Sequence, residues 1–131
     1  MNLEDIKKRF SEVKGFIKNN NYRLVRLTEE ECVLESDVTE TSMNTYGMAH
    51  GGYIFGLADT AAGTLAFVNG IALTVNATIN YLKPLRTNTV RAVATIDRKG
   101  NSIAVFTVNV YDSDNVLVAK STNTYFYTKT H

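Results

Sequence analysis

Gly51-Gly52-Tyr53-Ile54-Phe55-Gly56-Leu57-Ala58-Asp59-Thr60-Ala61-Ala62-Gly63-Thr64-Leu65-Ala66-Phe67-Val68 is the stretch on which the fold turns. At helical geometry its apolar residues occupy almost every face, so the helix is wrapped by the rest of the protein and does not lie on its surface. Residues 51–68 at 1.5 Å rise span about 27 Å, the width of a small domain. Asp59, Thr60 and Thr64 interrupt the run, and its Ala/Gly content suits a buried helix, not a membrane span. Asn69-Gly70 supplies the stop.

Working outward toward the N-terminus, residues 39–50 have neither helical nor strand period and read as a loop leading into the central helix. Tyr22–Leu27 and Glu31–Val38 read as two short strands joined by Thr28-Glu29-Glu30. Leu3, Ile6, Phe10, Val13 and Ile17 recur at three-to-four spacing behind Asn2, a good N-cap, which predicts an amphipathic helix over 3–18 within an N-terminal segment 1–19. Toward the C-terminus the period changes to two. Leu73, Val75, Ala77, Ile79 and Tyr81 alternate with polar residues, a half-buried strand that Pro84 ends. Val90–Asp97, Ile103–Tyr111 and Val116–Thr128 follow, separated by turn residues, so four consecutive strands predict an antiparallel meander. The order helix, hairpin, buried helix, strands is α+β, with no strand-helix alternation to make a parallel sheet. The simplest packing is one domain over 1–131, a curved antiparallel sheet folded about the helix 51–68.

Composition bounds the function. The chain has 131 residues, 44% apolar and 21% charged, which fits one packed domain and argues against disorder or low complexity. Fourteen basic and thirteen acidic residues leave +1, so no broad electrostatic footprint for nucleic acid or anionic membrane is expected. Cys32 has no partner for a disulfide, and two histidines are too few for a Cys/His zinc cage, so no metal is expected and a reducing, cytoplasmic location is. The first twenty residues interleave charge with single apolar positions, unlike a signal peptide.

Asp59 is the residue local logic does not explain. A carboxylate inside an apolar helix costs several kcal/mol unless it is paired, hydrated or neutralised. Taken alone it could hydrogen-bond across a helix or subunit contact, or it could do chemistry. Gly51-Gly52 opens the same helix, where unpaired N–H groups and the dipole favour a negative oxygen and glycine lets a ligand approach the backbone. The same glycines could merely make a tight turn, and His50 before them could cap the helix, donate to a carbonyl or orient the loop. Gly52 and Asp59 lie about 10 Å apart along the axis. A carbonyl held at Gly52 is therefore distant from Asp59 of the same chain. If both serve one carbon, a two-fold dimer with antiparallel helices could bring Asp59 of one chain toward Gly52 of the other, which predicts an interfacial site.

The pattern Asn44-x-x-Gly47-x-x-His50-Gly51-Gly52-x-x-Phe55-x-Leu57-Ala58-Asp59, followed by a strand 74–83 containing Asn80-Tyr81, resembles the hotdog-fold acyl-CoA thioesterases of the phenylacetate-pathway (PaaI) type. The resemblance covers roughly residues 20–127 and leaves helix 3–18 as an N-terminal addition. It implies a central helix wrapped by an antiparallel sheet, dimers joined sheet edge to sheet edge, and a homotetramer of two dimers. In that family the amide at Gly52 polarises the thioester carbonyl and Asn44 assists. The partner's helix carboxylate, here Asp59, acts as base or nucleophile. Thr74 orients the water, and His50 holds the loop. Coenzyme A is then part of the substrate and no separate cofactor is implied. With no P-loop or GxGxxG, surface Lys83, Arg86, Arg98 and Lys99 are the candidates to meet its phosphates, or are ordinary solvated charges. A hotdog hydratase or dehydratase and a non-catalytic acyl-CoA-binding module are the competing readings.

Overall fold

The computed structural model describes residues 1–130. In chain order they form α1 (Leu3–Glu12), α2 (Phe16–Asn19), β1 (Arg23–Leu27), β2 (Glu31–Asp37), α3 (Gly51–Phe67), β3 (Gly70–Tyr81), β4 (Thr89–Lys99), β5 (Ile103–Asp112) and β6 (Leu117–Thr130), with a 3₁₀ turn at Glu40–Ser42. All strands join one antiparallel sheet in the order β1-β2-β4-β5-β6-β3, curled around α3. No helix among the described residues is long and apolar enough to cross a membrane.

Helix α3 lies where its composition requires. Leu57, Ala58, Ala61, Ala62 and Leu65 are fully buried against the inward rows of the sheet, among them Val90, Ala92 and Ala94 of β4 and Phe106, Val108 and Val110 of β5. Alanines on both surfaces let helix and sheet approach closely, and each buried leucine contributes about 1.5–3 kcal/mol. Tyrosine hydroxyls fasten the helix from several sides. Tyr81 donates to the Gly51 carbonyl (2.8 Å), Tyr22 to Tyr53 (2.6 Å) and Tyr127 to Ala66 (2.9 Å).

Three expectations need correction. The N-terminal helix does not run unbroken over 3–18: α1 stops at Glu12, and Gly15, at φ 76°, turns the chain before the short α2. That left-handed backbone is one that glycine adopts without strain. The last four strands are not a meander. Only β4-β5-β6 meander, whereas β3 pairs with β6 and β2 takes the free side of β4. Residues 82–88, containing Pro84, lack the tight turn that would return the chain beside β3, and the sheet uses them to carry the chain across instead. The alternating face of β3 is also not half-buried throughout, because Leu73 and Val75 are 60% and 58% exposed on what is now a sheet edge.

Candidate active site

Asp59 sits midway along α3, where its side chain meets β6 and β3. Tyr125 Oη lies 2.6 Å from Asp59 Oδ1 and Asn123 Nδ2 donates to the same oxygen at 3.0 Å. Thr74 Oγ1 donates between Oδ1 (3.2 Å) and Oδ2 (3.3 Å). Asn123 is itself fixed by Ser121, whose hydroxyl donates to Asn123 Oδ1 at 2.7 Å. Tyr125 also lies 2.8 Å from the Asp59 carbonyl, but its one proton goes to the carboxylate, the stronger acceptor. One carboxylate oxygen is thus saturated, while Oδ2 takes only the longer Thr74 contact. The mid-helix charge has been compensated by hydrogen bonds, not by a cation.

The phenol supporting this arrangement is a permanent donor. Burial first, and the adjoining Asp59 carboxylate second, push Tyr125 well above the ordinary tyrosine range. Phe106 holds its ring edge-on at 5.7 Å. Gly63 leaves the space it needs, since a Cβ there would meet Tyr125 Oη at 3.0 Å.

The start of α3 is arranged differently. His50 is the N-cap, and its Nδ1 accepts the Gly52 N–H at 2.8 Å. The amide expected to hold a carbonyl is therefore engaged by the neighbouring imidazole, and an incoming oxygen has to displace it. Asn44 holds its own loop: its Oδ1 accepts from the N–H groups of Tyr46 (2.9 Å) and Met48 (3.1 Å). The loop closes at its base through the Met43–Ala49 bridge and His50 N–H to the Ser42 carbonyl (2.7 Å).

Asp59 and Thr74 are thus brought together, as are His50 and Gly52, but the two groups occupy different stretches of one helix. The basic candidates are also divided. Lys83 and Arg86 follow the Tyr81 end of β3, near the start of α3, whereas Arg98 and Lys99 end β4 beside Ala104 and Val105, at the opposite end of the sheet. All four are exposed, and one chain does not gather them into a single phosphate site.

Asn123 and Tyr125 were missed by sequence reasoning. The available signal was Ser121-Thr122-Asn123-Thr124, a polar run inside a predicted strand. Its inward members Ser121 and Asn123 are buried at 1% and 0% exposure, and polar side chains at core positions of a strand need a partner in the core.

Known proteins share the family and the fold. Residues 46–119 match the sequence model of the thioesterase superfamily. A Streptococcus mutans protein solved bound to acetyl CoA is 31% identical, covering 92% of this chain and 96% of that one, with a TM-score of 0.83. A hypothetical thioesterase from Streptococcus pneumoniae, solved with coenzyme A, is 28% identical over 85% of this chain and 88% of that one, with a TM-score of 0.80. The Escherichia coli acyl-coenzyme A thioesterase PaaI is 29% identical over 98 residues, 73% of this chain and 70% of that one. The helix wrapped by one antiparallel sheet is the hotdog fold. The chain belongs to the thioesterase superfamily.

Proposed function

We propose that the protein hydrolyses the thioester of a small or aryl acyl-CoA, with two equivalent sites at a homodimer interface and Asp59 as general base. The observation that carries this is the Asp59 carboxylate, pinned through Oδ1 by Tyr125 and Asn123, with Oδ2 taking only the 3.3 Å contact of Thr74. Water placed between Oδ2 and Thr74 would lose a proton to Asp59 as its oxygen bonds to the carbonyl carbon. Collapse of the tetrahedral intermediate would break the C–S bond, releasing the acid and the CoA thiolate, which takes up a proton. The developing oxyanion would be met by the Gly52 amide of the other protomer, with His50 swung aside and Asn44 assisting. Such a preorganised donor contributes about 3–4 kcal/mol.

The bare β3 edge supports the dimer. Thr74 touches Asp59 and Tyr81 touches Gly51, on one 12-residue strand. An antiparallel pairing of β3 with its copy, about an axis near Ala77–Thr78, would set Thr74 opposite Tyr81 of the second chain. One protomer's acid would then meet the other's helix start, and exposed Leu73 and Val75 would be covered. A further pairing of dimers into a tetramer belongs to this reading, as does phosphate binding by Lys83 and Arg86 at one end of the interface and Arg98 and Lys99 at the other. No resident cofactor or metal takes part, and the single buried Cys32 suits a cytoplasmic setting.

Thiol release from a panel of acyl-CoAs tests the activity. In H₂¹⁸O, base catalysis puts the label into the product acid in the first turnover, whereas label appearing first in Asp59 would replace the base role with direct attack. Val75→Glu should give monomers in sedimentation and abolish turnover. An active monomer would refute the interfacial site.

A further inference from the structure

Beside Asp59 a cavity of about 420 Å³ opens between α3 and the N-terminal segment. Asp59, Thr60, Gly63 and Thr64 form its α3 side, and Phe10, Val13 and Ile17 face them. We propose that this cavity receives the acyl group and that the α1 segment decides which acyl groups fit: apolar ones, medium-chain fatty acyl or arylacyl, without a polar tail. The inference rests on the thioesterase reading, which puts the thioester carbonyl at Asp59.

The dimensions and chemistry of the cavity support that occupant. From Asp59 to Phe67, both lining residues, α3 advances about 12 Å, so a chain starting at the acid has roughly two helical turns to run along. Its length is limited, because Phe67 stands at the far end with the Arg9 guanidinium 5.5 Å over its ring. The walls are mostly apolar, and the Thr64 hydroxyl is already spent on the Thr60 carbonyl at 2.7 Å. Among the described residues, Arg9 is the only charged one besides Asp59 that lines the cavity. A volume of this size falls in the range of small-ligand pockets.

The N-terminal segment adds this wall from outside the residues 46–119 that match the superfamily. Of α1 only Ile6 is fully buried, while Phe10, Val13 and Ile17 are half-buried and line the cavity. Their side chains can therefore be changed with less cost to the core than residues of α3, and a change there alters cavity depth directly.

The test measures kcat/KM for CoA thioesters from acetyl to palmitoyl, and for phenylacetyl-CoA, in the wild type, Phe10→Ala and Val13→Phe. The wild type should be fastest on medium chains or phenylacetyl. Phe10→Ala should raise the long-to-short ratio at least about tenfold, and Val13→Phe should lower it by a similar factor, as expected for a methylene or more gained or lost in an apolar pocket. Loss graded with chain length in Val13→Phe assigns the pocket to fatty acyl groups, and loss centred on phenylacetyl assigns it to aryl groups. Two variants that melt like the wild type and keep its profile would overturn the inference while leaving the thioesterase reading intact. A wild type that cleaves no acyl-CoA would instead defeat that reading itself. Should Phe10→Ala not fold, the opposite shift in Val13→Phe carries the test.

Discussion

Two stretches of the same helix contrast sharply. At mid-helix, Asp59 is supported by donors of its own chain, the buried Asn123 and Tyr125 of β6 and the exposed Thr74 of β3. At the helix start, Gly52 is exposed and its amide is occupied by His50, with no other part of the chain closing over it. The acid's donors are complete within one chain, whereas the carbonyl site proposed at Gly52 is not. The cause is covalent: seven helical residues, about 10 Å, separate positions that the proposed reaction brings to one carbon. A helix cannot bend to join them, so a second chain is the simplest solution.

The strongest way to break this contrast is to remove the charge at mid-helix. Asp59→Asn keeps the shape and should cut kcat by about 10³-fold or more, within the range of a lost general base, with circular dichroism unchanged. Undiminished thiol release by the pure variant would end its catalytic role. Tyr125→Phe deletes the shortest hydrogen bond to the carboxylate. Losing that donor frees the carboxylate to rotate away from the reacting carbon, so kcat should fall about tenfold with KM little changed. A variant with a lower Tm but an unchanged kcat would make Tyr125 merely structural.

Smaller effects sharpen the other half. His50→Ala removes a cap and should cost about 1 kcal/mol, read as a drop in Tm. Because it also frees the Gly52 amide, KM should fall or hold while kcat changes less than tenfold, and a collapse in kcat would give the imidazole a direct chemical task. Alkaline pH should weaken the fold. Tyr22, Tyr53 and Tyr125 are all raised, chiefly by burial, from an ordinary value of 10.0. These groups therefore leave stability untouched below pH about 10, and it is lost as pH rises from there toward their folded values, because the unfolded chain releases its phenolic protons first. A melting temperature flat across pH 9 to 11 would contradict this, and Tyr22→Phe should reduce the slope.

Much of this was legible in local pattern. Apolar residues on every face of 51–67 required a wrapped helix, because no single-sided packing hides them all, and Asp59 stood out since a charge there cannot be left without partners. The strands from Val90 onward showed themselves by period two. The break at Gly15 could not be read, because five apolar positions continued at helical spacing straight through it.

Local pattern alone carried the helix that must be buried, the strands available to bury it, and the acid that needed company. Which company it found depended on contacts far apart in the chain. Asn123 and Tyr125 lie 64 and 66 positions from Asp59, and β3 passes over its sequence neighbour β4 to pair with β6. Periodicity is set by geometry within one element and carries no information on which elements become neighbours. Strand order is fixed when the whole sheet closes around the helix, and the donors that reach the acid follow from that closure.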